Sequence, residues 1–89
     1  MAHLNFAWDN PNAPANITYS LYENGTPVVT KIGALDFSLD MTGKADGTYQ
    51  YYVTSVDSTT GLESKPSNTV SADFLTPAAP TSLTASWAA

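Results

Sequence analysis

His3 is the single histidine of the chain, and neither cysteine nor arginine occurs in it. A Ser-His-Asp relay needs its histidine packed and oriented by a carboxylate. His3 instead stands beside the N-terminus, where chain order is least. Asp36 and Asp40 come nearest to a carboxylate pair. On a strand they share a face but lie about 13 Å apart at ~3.3 Å per residue. Carboxyl pairs that cleave glycosidic bonds stand at roughly 5–9.5 Å. The remaining acids are scattered singly, without the dense alternation of a calcium loop. The expectation is a protein that is not an enzyme, with no catalytic residues, no cofactor and no metal.

The residues that remain are suited to contact rather than catalysis. If Tyr19, Leu21, Tyr51 and Val53 face inward on their strands, Tyr22 and Tyr52 face outward. Two outward tyrosines on neighbouring strands form an aromatic platform that stacks on a sugar or anchors a partner. The alternative is a cross-strand pair that only stiffens its sheet. Asn16-Ile17-Thr18 and Asn24-Gly25-Thr26 match the glycosylation sequon, a pattern frequent by chance in a chain rich in Asn and Thr.

The composition narrows the partners. Eighty-nine residues suffice for one domain with one core. Apolar residues make up 43% and charged residues only 12%, so Ser, Thr and Asn carry the solubility. The net charge is −5, and three scattered lysines do not make the basic footprint that phosphate binding needs. Nucleic acid is therefore not an expected partner, nor is an anionic membrane surface. No apolar run approaches spanning length, and no basic-then-apolar leader is visible. Without cysteine there is no disulfide framework.

Period-two alternation runs through the chain, and no window has a helical period. Leu4, Phe6 and Trp8 alternate with Asn5 and Ala7. A Pro/Asn loop follows over Asp9 to Pro14. Ile17, Tyr19 and Leu21 form the next apolar row, and Asn24-Gly25 marks a hairpin into Val28–Ile32. Phe37, Leu39 and Met41 make a further row. Thr48 to Asp57 reads as the longest strand, followed by strands over Ser67–Phe74 and Thr81–Trp87. The expected core is Leu4, Phe6, Trp8, Tyr19, Leu21, Ile32, Phe37, Leu39, Tyr51, Val53 and Val70, with Trp8 at its centre. Short strands with turns between them predict an antiparallel two-sheet sandwich.

Several segments resemble the fibronectin type III family. Tyr49-Gln50-Tyr51-Tyr52-Val53-Thr54-Ser55-Val56-Asp57 is similar to its F strand, Tyr-x-Val-x-Val-x-Ala-Val-Asn. Trp8 matches the core tryptophan of strand B, and Tyr19-Ser20-Leu21 matches the Tyr-x-Val of strand C. Gly61, Ser64, Pro66 and Ser67 resemble the turn into strand G. Pro77-Ala78-Ala79-Pro80-Thr81-Ser82-Leu83-Thr84-Ala85 resembles the opening A strand, yet it comes last. The resemblance implies an all-β, immunoglobulin-like sandwich whose strand order starts at B and ends on an A-like strand. It also implies a tyrosine corner at Tyr49, a hydroxyl bonded back to nearby backbone.

Residues 1–76 are thus expected to form the sandwich and residues 77–89 a C-terminal strand available to a neighbour. Leu83, Ala85 and Trp87 would be the donor row, and Leu4, Phe6 and Trp8 the acceptor row. The functional expectation is a structural subunit that assembles head-to-tail with itself into an extracellular, cell-surface or virion filament. The alternative is an adhesion or spacer module of a larger surface, phage-tail or carbohydrate-active protein, with another protein or a glycan as partner.

Overall fold

A computed structural model describes residues 2–11 and 13–88. Met1, Asn12 and Ala89 lie outside the described residues, and Ala89 takes the last position of the expected C-terminal strand with it. The described chain is all-β: β1 (His3–Ala7), β2 (Ile17–Glu23), β3 (Thr26–Ile32), β4 (Asp36–Asp40), β5 (Gly47–Asp57) and β6 (Val70–Phe74). They form two antiparallel sheets, one of two strands in the order β1-β4 and one of four in the order β3-β2-β5-β6. A sandwich is consistent with this arrangement.

The β2–β3 hairpin turns where the sequence predicts it. Asn24 and Gly25 both take positive φ, 50° and 83°, the backbone that a two-residue hairpin requires. Asn24 also accepts a bond from the Gln50 amide through its side chain, at 2.9 Å, which ties the turn to β5.

Alternation decides which residues meet between the sheets. The apolar rows of β2 and β5 lie across from each other, with Leu21 opposite Val53 and Glu23 opposite Tyr51. Phe6 meets the edge of Tyr51 at 4.9 Å, and Trp8 meets Tyr19 at 5.6 Å. The buried core is Tyr19, Leu21, Ile32, Met41 and Tyr51.

Four expectations are corrected. The centre is not Trp8: Leu21 and Tyr51 are 0% exposed, whereas Trp8 is half-buried. Leu21 and Tyr51 sit on strands flanked on both sides and covered by the second sheet, while Trp8 follows a strand with one neighbour. Val70 is not a core residue: it opens edge strand β6 and is 44% exposed. Residues 81–87 form no strand here, because among the described residues no strand lies beside them. The chain from Leu75 to Ala88 is instead an exposed tail without regular structure, bent at Ser82 by a φ of 59°, and it stretches the molecule to 75 Å by 22 Å by 19 Å. The strand before it also starts later than Ser67, at Val70.

Candidate functional site: an open strand edge and a free tail

β1 pairs with β4 on one side, His3 opposite Asp40 through Ala7 opposite Asp36. Beyond the strand limits, Trp8 donates to the Leu35 carbonyl at 3.0 Å and Met41 to the Ala2 carbonyl at 2.8 Å. Antiparallel ladders bond alternate residues. Even-numbered residues of β1 therefore direct their backbone groups at β4, and His3, Asn5 and Ala7 direct theirs at the other edge. No strand lies there among the described residues.

Beside that edge runs a groove of about 480 Å³. Phe6 and Trp8 line one side, Tyr19 and Val53 the floor, and Pro66 and Val70 the other side. The groove thus lies between β1 and the segment that joins β5 to β6, where Ser64, Lys65, Ser67 and Asn68 also line it. The ring nitrogen Nε1 of Trp8 is buried there without a hydrogen-bond partner.

The tail carries the complementary feature. Leu83 is 96% exposed and Trp87 101%, so its two largest apolar side chains touch almost nothing of their own molecule. Its root is fixed. The Thr76 amide and hydroxyl both donate to one Asp46 carboxylate oxygen, at 3.1 and 2.8 Å. Pro77 and Pro80 then hold the chain extended, as proline-rich linkers do.

The loop between β4 and β5 organises this end. Met41 at its start meets Ala2, and Asp46 near its finish meets Thr76. The Tyr49 hydroxyl donates to the Ala45 carbonyl at 2.5 Å, the bond back to nearby backbone expected of that residue. Lys44 reaches the Glu23 carboxylate at 2.8 Å, and the Tyr51 hydroxyl donates to the same group at 2.7 Å. Burial raises the Tyr51 hydroxyl pKa far above its ordinary value, and the bond to Glu23 adds to this. For Glu23, burial pushes upward, but the bonds from Lys44 and Tyr51 outweigh it and leave the carboxyl below its usual value.

The other sequence-derived sites fall as follows. Tyr22 and Tyr52 are cross-strand partners, stacked at 4.8 Å with 15° between ring planes. The Tyr22 hydroxyl donates to Glu63 at 2.6 Å, and this bond holds its pKa up, with burial second. Thr54 donates to the same carboxylate. Glu63 thereby latches the loop after β5 onto the sheet. Asp36 and Asp40 are exposed at opposite ends of β4, and Asp40 accepts the Thr42 amide at 2.9 Å. His3 opens the exposed row of β1. Among the described residues, no group of three or more His, Cys, Asp or Glu is placed to hold a metal ion, and no helix is long and apolar enough to cross a membrane.

The register-dependent features were beyond the reach of sequence patterning: the Thr76–Asp46 clamp and the Glu63 latch join residues far apart in the chain. Asp46 next to a glycine signals only a turn. No protein-family model matches the chain, and neither a curated protein nor a solved structure was found that matches it.

Proposed function

We propose that this protein is a non-catalytic structural subunit that assembles head-to-tail by donating its C-terminal tail to the open edge of β1 in the next copy. The observation that carries the reading is the pairing of an unfilled strand edge beside a groove that Phe6 and Trp8 line with an exposed tail that carries Leu83 and Trp87 and is rooted at a fixed point. An open edge is a liability that proteins ordinarily cover, and adding a strand from another chain is a recurrent solution.

Direction and parity both support it. β6 ends at the pole where β1 begins, since Phe74 lies opposite Gly47 and the β4–β5 loop contacts both segments. A tail leaving that pole enters the far pole of the next molecule along the axis and runs antiparallel to its β1. Leu83 then faces Trp8, Ala85 faces Phe6 and Trp87 faces Leu4. Each large side chain meets a smaller one, as well-packed layers require. The backbone of Thr84 and Ser86 meets the free groups of the odd-numbered β1 residues. Because donor and acceptor are different surfaces, the contact does not close on itself and propagates as a filament.

The same reading names the fold more finely. Taken as strands B, C, C′, E, F and G, β1–β6 pair B with E, C with F and F with G, as in a fibronectin type III-like sandwich whose A strand comes from a neighbour. A low charge content of 12% accords with an extracellular, cell-surface or virion assembly.

Sedimentation and electron microscopy of the full chain and of residues 1–76 test this. The full chain should form filaments with an axial repeat of about 50 Å. This is the 75 Å molecule less the overlap of a seven-residue strand at ~3.3 Å per residue. Residues 1–76 should stay monomeric and bind an added peptide of residues 77–89. A full chain that remains monomeric at high concentration overturns the proposal.

A further inference from the structure

The two tryptophans of the chain close the same pattern. His3-Leu4-Asn5-Phe6-Ala7-Trp8 and Ser82-Leu83-Thr84-Ala85-Ser86-Trp87 both place leucine, a second apolar residue and tryptophan at alternate positions. The inward row of β1 is thus written twice, with Phe6 replaced by Ala85 in the second copy. The two copies are also delivered to the same place. Ala2 and Thr76 are held at the two ends of one short loop, by Met41 and Asp46. A strand starting from either root enters the slot beside β4 from the same pole and in the same direction. This differs from the open edge of β1, which an antiparallel strand must enter from the opposite pole.

We infer that residues 82–87 are a second occupant of the β1 slot, able to pair with β4 of their own chain in place of residues 3–8. Beyond the clamped Thr76, Pro77 to Thr81 provide the reach. Packed sheets stand about 10 Å apart, and five extended residues span about 16 Å at ~3.3 Å each. Parity is preserved: Leu83 takes the place of Leu4, Ala85 that of Phe6 and Trp87 that of Trp8. The structure shows which copy prevails and why. Phe6 fills the space against Tyr51 with an edge contact at 4.9 Å, and an alanine leaves that space empty. β1 therefore holds the slot and the tail is free. In the exchanged form the tail is engaged within its own chain and has nothing to offer a neighbour, so the exchange works as an intramolecular stop on strand donation.

The test uses the full chain at low concentration with Phe6→Ala, Ala85→Phe and the two combined. Phe6→Ala should lower the thermal midpoint, and adding Ala85→Phe should regain most of the loss although the two residues make no contact in the structure. The regain should not depend on protein concentration. Hydrogen-exchange protection should move from residues 3–8 to residues 82–87 in the double variant. Ala85→Phe alone should give two sets of amide signals, one for each occupant. No regain in the double variant overturns the inference. So does a regain in which residues 3–8 stay protected, because the tail then packs beside β1 rather than replacing it. A regain that grows with concentration also overturns it, since the slot is then filled by another chain.

Discussion

Two aromatic residues four strands apart in the chain show how neighbours, not residue type, set burial in this molecule. Tyr51 and Trp8 both stand in rows of alternating apolar side chains that face the gap between the sheets. Tyr51 lies on β5, with β2 and β6 on either side, and is 0% exposed. Trp8 follows β1, which has β4 on one side and the groove on the other, and is only half-buried. The closed centre is complete within one chain. The open edge has the composition of a core without the strand that would make it one.

The comparison predicts unequal costs for equal truncations. Tyr51→Ala should destabilise by about 3–5 kcal/mol, the range for a buried aromatic. It also leaves Glu23 without one of its two bonds. Trp8→Ala should cost less in a monomer, about 2 kcal/mol, because part of its surface is already wet. Chemical denaturation of both variants at low concentration reads the difference. Equal midpoints for the two would erase the distinction between closed and open regions.

Acid sharpens the picture at the closed end. The Glu23 carboxyl is held below its ordinary value by Lys44 and Tyr51. Its contribution is therefore fully present above the unfolded-state value and is lost as pH falls through the lower folded-state value. Glu23→Gln should remove this part of the acid dependence, an effect of at most about 1 kcal/mol for a pair at the protein surface. Stability curves against pH, from neutral to about 3, with and without the substitution should converge at the acid end. Curves that stay parallel would place the acid sensitivity elsewhere.

The smallest stability effect is expected at the tail root. Thr76→Val removes the hydroxyl bond to Asp46 but keeps the amide bond and the shape. Global stability should change by less than about 0.5 kcal/mol, as for other surface substitutions. Amide order parameters for Ala78 and Ala79 should nevertheless fall, since the clamp sets the direction in which the tail leaves. Unchanged order parameters would show that Pro77 and Pro80 alone stiffen it.

Much of the fold was legible because period-two alternation is a direct image of strand geometry. Leu4/Phe6, Tyr19/Leu21, Phe37/Leu39 and Tyr51/Val53 each report a strand with one inward face, and Asn24-Gly25 reports its turn. Alternation does not say how many neighbours a strand has, and this is why Trp8 was expected at the centre and Val70 in the core. It also does not distinguish a paired strand from an extended segment, so residues 81–87 read as a strand but stand alone. The stack of Tyr22 on Tyr52 and its bond to Glu63 depend on register across β2 and β5, which no local pattern encodes. The candidate site was legible as two apolar rows, but its geometry, with the tail root and the start of β1 on one loop, was not.

The central claim is that the free edge of β1 is filled by the tail of another copy. Hydrogen exchange of the His3, Asn5 and Ala7 amides, followed across protein concentration, tests it most directly. These are the β1 amides that the β4 ladder leaves unpaired. The account predicts fast exchange in residues 1–76 at every concentration. In the full chain, protection of these three amides should rise as the protein is concentrated, in step with protection of Thr84 and Ser86. Fast exchange at all three amides in the concentrated full chain would contradict it.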